Sequence, residues 1–449
     1  MSAGADRPLH LAAFFQGVNH TTVWADPAAG SQVAFSSFAH MARTAERGTF
    51  DFFFLAEGLR LREQKGLIHD LDVVGRPESI GLLSALAAVT THLGLAATMS
   101  TTFNEPYELA RRFATLDLLS GGRAGWNIVT SSDAFTGENF RRGGYLAHAD
   151  RYTRAAEFAA LTTALWGSWD PRAVRGERES GEFLREALVR EVAHTGPQFD
   201  VRARATLPRS PQGRPVVIQA GDSEEGRDFA ASTADVIFSR HSTLEAGTSF
   251  VADIRGRAVR SGRRGGDVKV MPAVSWVLGA TAQEAAERAQ QIRFQQVSPA
   301  NAIAFAEQVW NRDLSDLDPD GPLPDVDPVE GELLSQGRAA SRRIDRAAVS
   351  AQWRELSRTR GLTLRETAAE MSSHQSFVGT PAQVADEMLA FVDADACDGF
   401  VLTPHLNPGG LDDFVEEVVP ILRERGRFRE RYTSTTLRGH LGLDGRAAG

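Results

Sequence analysis

The segment QAGDSEEGRDFAA holds the residues best suited to binding chemistry. An apolar run, PVVIQA, meets Gly221, and Asp222 and Ser223 then open a helical pattern. Backbone N–H groups at a helix start, beside a serine hydroxyl, can take a phosphate. An ordinary helix cap by Asp222 or Ser223 explains the same residues. The second glycine falls one position late for GxSxG, so a serine hydrolase is not expected. His148 and Tyr152, in AHADRYTRAAEF, lie four apart where another helix begins. That spacing places them on one face, as it would a solvated pair. In SGGRAGWNIVTS, Asn127, Thr130 and Ser131 fall at or just past a strand end. An amide there can both donate to and accept from the edge of a heterocycle.

Other motifs point to chemistry that the chain lacks. Asn104-Glu105-Pro106 reads as a helix start, with Asn104 near the cap and Pro106 in the first turn. A glycosidase would need a second carboxylate across the scissile bond, and VMPAVSWVLGA ends without one. The eleven histidines are scattered, with no HExxH, so no metal ligand set is expected. Cys397, in DADACDGF, reads as a small buried filler before a strand. No GxGxxG follows a strand, which removes the usual dinucleotide fingerprint.

The elements that must carry these residues alternate in type. Short apolar runs at Leu9–Phe15, Phe50–Leu55, Leu93–Thr98, Arg123–Val129, Pro215–Ala220, Val236–Phe238, Val268–Leu278 and Gly399–Thr403 read as strands. Amphipathic stretches at Phe35–Arg47, Glu78–Thr90, Pro106–Leu119, Arg151–Trp166, Glu224–Ala231, Leu244–Arg260, Ala282–Gln291 and Leu411–Arg425 read as helices. Runs such as FDFFFL are apolar throughout, as in parallel strands covered on both faces. Eight such units predict a (β/α)8 TIM barrel with its site on the C-terminal rim, the open doubly wound sheet being the competitor. One domain is expected over residues 1–449. Trp169–Arg214 and Val297–Gln375 break the rhythm as insertion segments, and the second, which contains DLDPDGPLPDVDP, is expected to form a lid over the site.

Composition narrows the partners. A formal net charge of −9 argues against nucleic acid or an anionic membrane. One cysteine permits no internal disulfide and fits a reducing compartment. The first fifteen residues lack a basic start and an apolar run, and Leu82–Thr98 is broken by Thr90, Thr91 and His92. A cytoplasmic protein with no membrane span is expected.

The stretches LHLAAFFQG, FDFFFLAEGL, LLSALAAVTTHLGLAATMSTTFNEPYELARRFATLDLLSGGRAGWNIVTS, ADRYTRAAEF, VVIQAGDSEEGRDFAA, SFVGTPAQVADEML and TLRGHLGL together resemble the bacterial luciferase-like family. The likeness is to its nitrilotriacetate and dibenzothiophene-sulfone monooxygenase branch, and it spans nearly the whole chain. It implies an FMN-dependent monooxygenase that receives FMNH2 from a separate NAD(P)H-dependent flavin reductase, uses O2, and assembles as a homodimer or homotetramer. It places Glu57, Thr98 and Asn127 on the isoalloxazine side, and His148, Tyr152, Asp222 and Ser223 at the phosphate end. The family usually has Asp where this chain has Glu57, and apolar-Pro-Pro where it reads Leu402-Thr403-Pro404-His405. His405 and His20 are therefore candidates to face substrate.

The flavin would carry the oxidative chemistry, which accounts for the lack of an acid–base or metal cluster. Family members cleave C–N or C–S bonds or hydroxylate carbon, and one subgroup degrades riboflavin. Cleavage of a C–N or C–S bond in riboflavin, a xenobiotic or an organosulfur compound is the favoured expectation. A deazaflavin-dependent hydride-transfer enzyme on the same barrel and a non-catalytic flavin-binding protein are the alternatives.

Overall fold

The computed structural model describes residues 8–68, 75–131, 134–140, 148–331, 334–336, 345–372 and 375–443. Eight strands form its centre: β1 (His10–Phe14), β2 (Phe52–Leu55), β3 (Gly94–Ser100), β4 (Ala124–Val129), β5 (Val216–Gln219), β6 (Val236–Ser239), β7 (Lys269–Val274) and β8 (Gly399–Leu402). Every neighbouring pair is parallel, and β1 pairs with both β2 and β8, so the sheet closes into a barrel. The open-sheet alternative is excluded.

Alternation of side chains along each strand divides the core in two. Leu11, Phe53, Leu95, Trp126, Val217, Ile237, Val270 and Phe400 face outward and pack beneath the surrounding helices. Ala12, Phe52, Phe54, Ala96, Val216, Ile218, Val236, Met271 and Val401 fill the barrel itself. The helices include α1 (Phe35–Arg47), α2 (Ser79–Ala87), α3 (Pro106–Leu119), α4 (His148–Trp166), α5 (Glu224–Thr233) and α6 (Leu244–Arg260).

The N-terminal end of the barrel is closed by a short helix, Leu437–His440, from the segment TLRGHLGL. Leu437, Leu441 and Leu443 join the interior cluster. A Cβ at Gly94 would stand 2.6 Å from Leu437 Cδ1, so the plug fits only because that position has no side chain. The plug is also tied electrostatically. Arg438 Nη1 lies 2.9 Å from the fully buried Asp235, and Arg214 Nη1 approaches to 3.0 Å. Burial alone would raise the Asp235 pKa, but the two guanidinium groups hold it below the usual carboxylate range.

Two elements differ from the sequence expectation. Val268–Leu278 is not one strand: β7 ends at Val274, and Trp276–Leu278 leaves the barrel to pair with Phe377–Gly379. Beyond the rim the ring offers no further backbone partner, and the Ser376 and Phe377 N–H groups turn to the Ser275 carbonyl. Leu411–Arg425 is not one α-helix either, because a π turn over Phe414–Val418 precedes a helix at Val419–Glu424. Pro420 lacks the N–H that an α-helical bond at that point would use.

Between Trp276–Leu278 and Phe377–Gly379 the chain forms α7 (Ala282–Gln296), α8 (Pro299–Trp310), α9 (Arg346–Arg360) and α10 (Leu364–Ser372). Trp310, Trp353, Val309, Leu314 and Leu364 give this segment a small core of its own. It is joined to the barrel through the hairpin after β2. Buried Glu307 on α8 accepts from the Gln64 amide, from Lys65 Nζ at 2.6 Å and from the Leu314 N–H at 2.9 Å. The earlier break, 169–214, contains an antiparallel hairpin of Val192–Thr195 and Asp200–Ala203.

Replacing Asp235 by Ala leaves two arginines without their shared counter-ion, one of them buried, and is expected to cost about 3–5 kcal/mol in urea denaturation. The folded-state pKa is depressed, so this contribution is complete above the unfolded value of 3.8 and is lost as pH falls below it. Wild-type stability should therefore drop more steeply than the variant's on acidification.

Candidate functional site

The C-terminal rim gathers chemistry from several strand ends. Thr98 on β3 and Asn127 on β4 are register partners, both directed inward and both buried. Asn127 Nδ2 donates to Thr98 Oγ1 at 2.9 Å. Asn127 Oδ1 is buried and has no hydrogen-bond partner among the described residues. Leaving such a group unmatched costs about 1–3 kcal/mol, so a ligand N–H has a ready place there.

Aromatic rings fill the barrel beside this pair. Phe54 meets Phe14 and Phe238, each with centroids 4.8 Å apart and near edge-to-face. Since β2 and β6 lie on opposite sides of the ring, the Phe54–Phe238 contact crosses the barrel, and with Phe14, the neighbour of Phe54 on β1, these rings form an apolar floor. None of the three was singled out from sequence, because strands apolar throughout do not reveal which face turns inward.

Glu57 stands two residues beyond β2. Its Oε2 accepts the Ser100 N–H, at the end of β3, at 3.1 Å. Burial pushes its pKa up to about 8; the Ser100 bond opposes that rise and the Glu78 carboxylate adds to it. Asn104 does not cap α3, since its Nδ2 turns back to the Ser100 carbonyl at 2.7 Å and Glu105 occupies the cap position. Arg154, buried on α4, donates to the Thr101 carbonyl at 2.9 Å and to that of Asn104 at 3.1 Å. These bonds fix the loop leaving β3, and no motif announced them.

A second cluster lies where β5 runs into α5. Ser223 is the helix cap, its Oγ accepting the Gly226 N–H at 3.1 Å. The Tyr152 hydroxyl from α4 lies 3.3 Å from that oxygen. A Cβ on Gly226 would stand 2.8 Å from the Tyr152 oxygen, and one on Gly221 would stand 3.0 Å from Gly226 Cα. The turn is thus a close-fitting cradle of backbone and hydroxyls at the positive end of a helix dipole. Asp222 turns away from it, pairing with Arg227 at 2.7 Å in an exposed position. His148 begins α4 one turn before Tyr152, but its side chain lies outside the described residues.

The two substrate-facing candidates sit under the α7–α10 segment. His20 meets Phe305 of α8 edge-on at 5.9 Å. Burial lowers the His405 pKa to about 4, Arg288 adds to the shift, and the ring is neutral near pH 7. Cys397 is buried, which pushes its thiol pKa up and leaves it unreactive. Among the described residues no group of three or more His, Cys, Asp or Glu could hold a metal. No helix among them is long and apolar enough to cross a membrane.

A phosphate cradle and an unmatched amide on one barrel rim suit a flavin mononucleotide, and the family model for luciferase-like monooxygenases matches residues 15–396. The chain belongs to that family. It is similar to the N-acetyl-S-(2-succino)cysteine monooxygenase of Bacillus subtilis, 39% identical over 98% of this chain and 97% of the relative. Nitrilotriacetate monooxygenase component A of Aminobacter aminovorans is 37% identical, with 98% and 97% covered. Among solved structures, a riboflavin lyase with modified FMN and riboflavin is 33% identical over 98% of this chain and 96% of its own, with a TM-score of 0.80. The luciferase-like chain is thus a flavin-dependent monooxygenase, and its barrel is that of the family.

The unmatched amide yields a prediction that separates ligand binding from folding. Replacing Asn127 by Leu and Thr98 by Val together removes donor, acceptor and orphan at once. Stability by urea denaturation should stay within about 1 kcal/mol. FMN affinity by fluorescence titration should fall at least about tenfold, the worth of one lost hydrogen bond.

Proposed function

We propose that the protein takes reduced FMN from a separate NAD(P)H-dependent reductase and uses O2 to oxidise a small organic substrate, cleaving a C–N or C–S bond. The observation that carries the reading is the rim's two-ended match to FMN: the Asn127 carbonyl at one place and the Gly221–Ser223–Gly226 turn at another. The similarity to enzymes named for a thioether and for a tertiary amine supports the bond class.

When bound, reduced flavin supplies the electrons for dioxygen, one oxygen atom passing to substrate and the other to water. The chain's own residues bind and shield. Asn127 accepts a ring N–H, and Thr98 fixes which way the amide faces. Ser223, Tyr152 and the N–H groups opening α5 hold the phosphate, with His148 as a further candidate. Asp222 acts on this turn only through its pairing with Arg227. The Phe14–Phe54–Phe238 floor keeps water out from below. From above, the segment 297–375 serves as the lid, bolted to the hairpin after β2 through Glu307. His20 and His405 face substrate beneath it. The segment 169–214 is an outer insertion on the same single domain, and the protein works in the cytoplasm as a homodimer or homotetramer.

Two measurements test this. Reduced FMN added anaerobically should bind, and Gly226→Ala should weaken it about tenfold or more, as a Cβ crowds the Tyr152 oxygen. The helix propensity of Ala offsets part of that crowding, so stability by urea denaturation should fall by no more than about 1–3 kcal/mol. With a reductase and O2, a panel of amines and thioethers should yield at least one cleaved product. Hydrogen peroxide alone from every compound would sink the proposed reaction.

A further inference from the structure

Glu57 is a carboxyl group with one oxygen anchored and the other open. Oε2 is taken by the Ser100 N–H, while Oε1 has no hydrogen-bond partner among the described residues, and part of the side chain's surface is exposed. Among the described residues no cation is one of the groups that act on it. Of the adjoining arginines, Arg60 is directed at Glu138 (2.6 Å) and Glu63, Arg76 at the Gln16 carbonyl (2.8 Å), and Arg154 at the Thr101 and Asn104 carbonyls. The charged group that acts on Glu57 among the described residues is the Glu78 carboxylate, which caps α2 through the Ile80 and Gly81 N–H groups. β3 offers only the Ser100 N–H.

A carboxyl in these surroundings is more stable with its proton than without it. The arrangement also says where the proton sits. The carbonyl oxygen is the better acceptor of a protonated carboxyl, so the Ser100 N–H suits it and leaves the hydroxyl on Oε1. Glu57 itself stands at the C-terminal ends of β2 and β3, two residues past Leu55, whose register partner Ala97 directly precedes Thr98.

We propose that Glu57 is held neutral and donates a hydrogen bond to the electron-rich ring of bound reduced flavin, so that the site holds its cofactor well near neutral pH and loses it in alkaline solution. This rests on the flavin reading of the rim and adds to it a residue that selects the redox state bound. The reduced isoalloxazine is an anion above neutrality, whereas the oxidised ring is neutral. A neutral donor favours the anion, and an ionised Glu57 repels it. No bond is made or broken, and the proton stays on the carboxyl. In the flavin-free protein the carboxyl loses its proton around pH 8, so affinity begins to fall there, with the donor present below it and the repelling carboxylate above it.

Two readouts test the proposal. In the protein alone, the infrared difference between wild type and Glu57→Gln should contain a protonated-carboxyl C=O stretch at neutral pH that disappears with a midpoint of about 8. Gln keeps an acceptor for the Ser100 N–H and cannot ionise. Anaerobic titrations above pH ~7, where the phosphate is already dianionic, isolate the ring's contribution. Wild-type affinity for reduced FMN should fall about tenfold for each pKa unit by which flavin shifts Glu57. Glu57→Gln should give a flat profile, and oxidised FMN should show little slope with either protein. A missing carboxyl band, or a wild-type slope that survives in Glu57→Gln, overturns this inference and leaves the flavin site standing. Failure of wild type to bind reduced FMN at any pH brings down the flavin reading and this inference together.

Discussion

Closing eight parallel strands into a ring leaves a channel through the middle of the sheet, and both of its ends must be dealt with. Only alternate residues enter that channel, and each layer in it takes its side chains from alternate strands. At the N-terminal end the three leucines of the terminal segment fill the opening, each contributing about 1.5–3 kcal/mol of burial. The Asp235–Arg438–Arg214 cluster fixes their position. At the other end the phenylalanines close the interior beside the Thr98–Asn127 pair. The functional rim exists because the opposite end is sealed.

That geometry also explains the modest chemistry of the residues at the rim. A layer open to ligand on one side and backed by aromatic rings on the other can hold few polar groups without stranding them. Among the described residues Asn127 is stranded by half, and Glu57 is largely withdrawn from water without a cation beside it. Neither is an obvious catalyst. Both suit a cofactor that brings its own reactivity and asks the protein for hydrogen bonds, dryness and a place for its phosphate.

Much of the fold could be read in advance, and the reason is specific. Parallel strands buried on both faces are apolar runs, so FDFFFL and PVVIQA marked β2 and β5 directly. The same property hid the floor, because a strand apolar at every position does not show which residues point inward. It also hid the end of β7, where VMPAVSWVLGA stays apolar as the chain leaves the barrel at Ser275. The Ser223 turn was legible because a cap has local chemistry. Its partnership with Tyr152 and the turning away of Asp222 depend on contacts made in three dimensions, as does the use of Asn104 to hold β3 rather than to cap α3.

What occupies the rim decides between a flavin site and an empty one. A crystal structure of the protein soaked with FMN under anaerobic reduction tests it most directly. It should place the phosphate against the Gly221–Gly226 turn, with a ring N–H on Asn127 Oδ1 and the ring over the Phe14–Phe54–Phe238 floor. Flavin bound elsewhere, or a water molecule still satisfying Asn127 with flavin present, would contradict it.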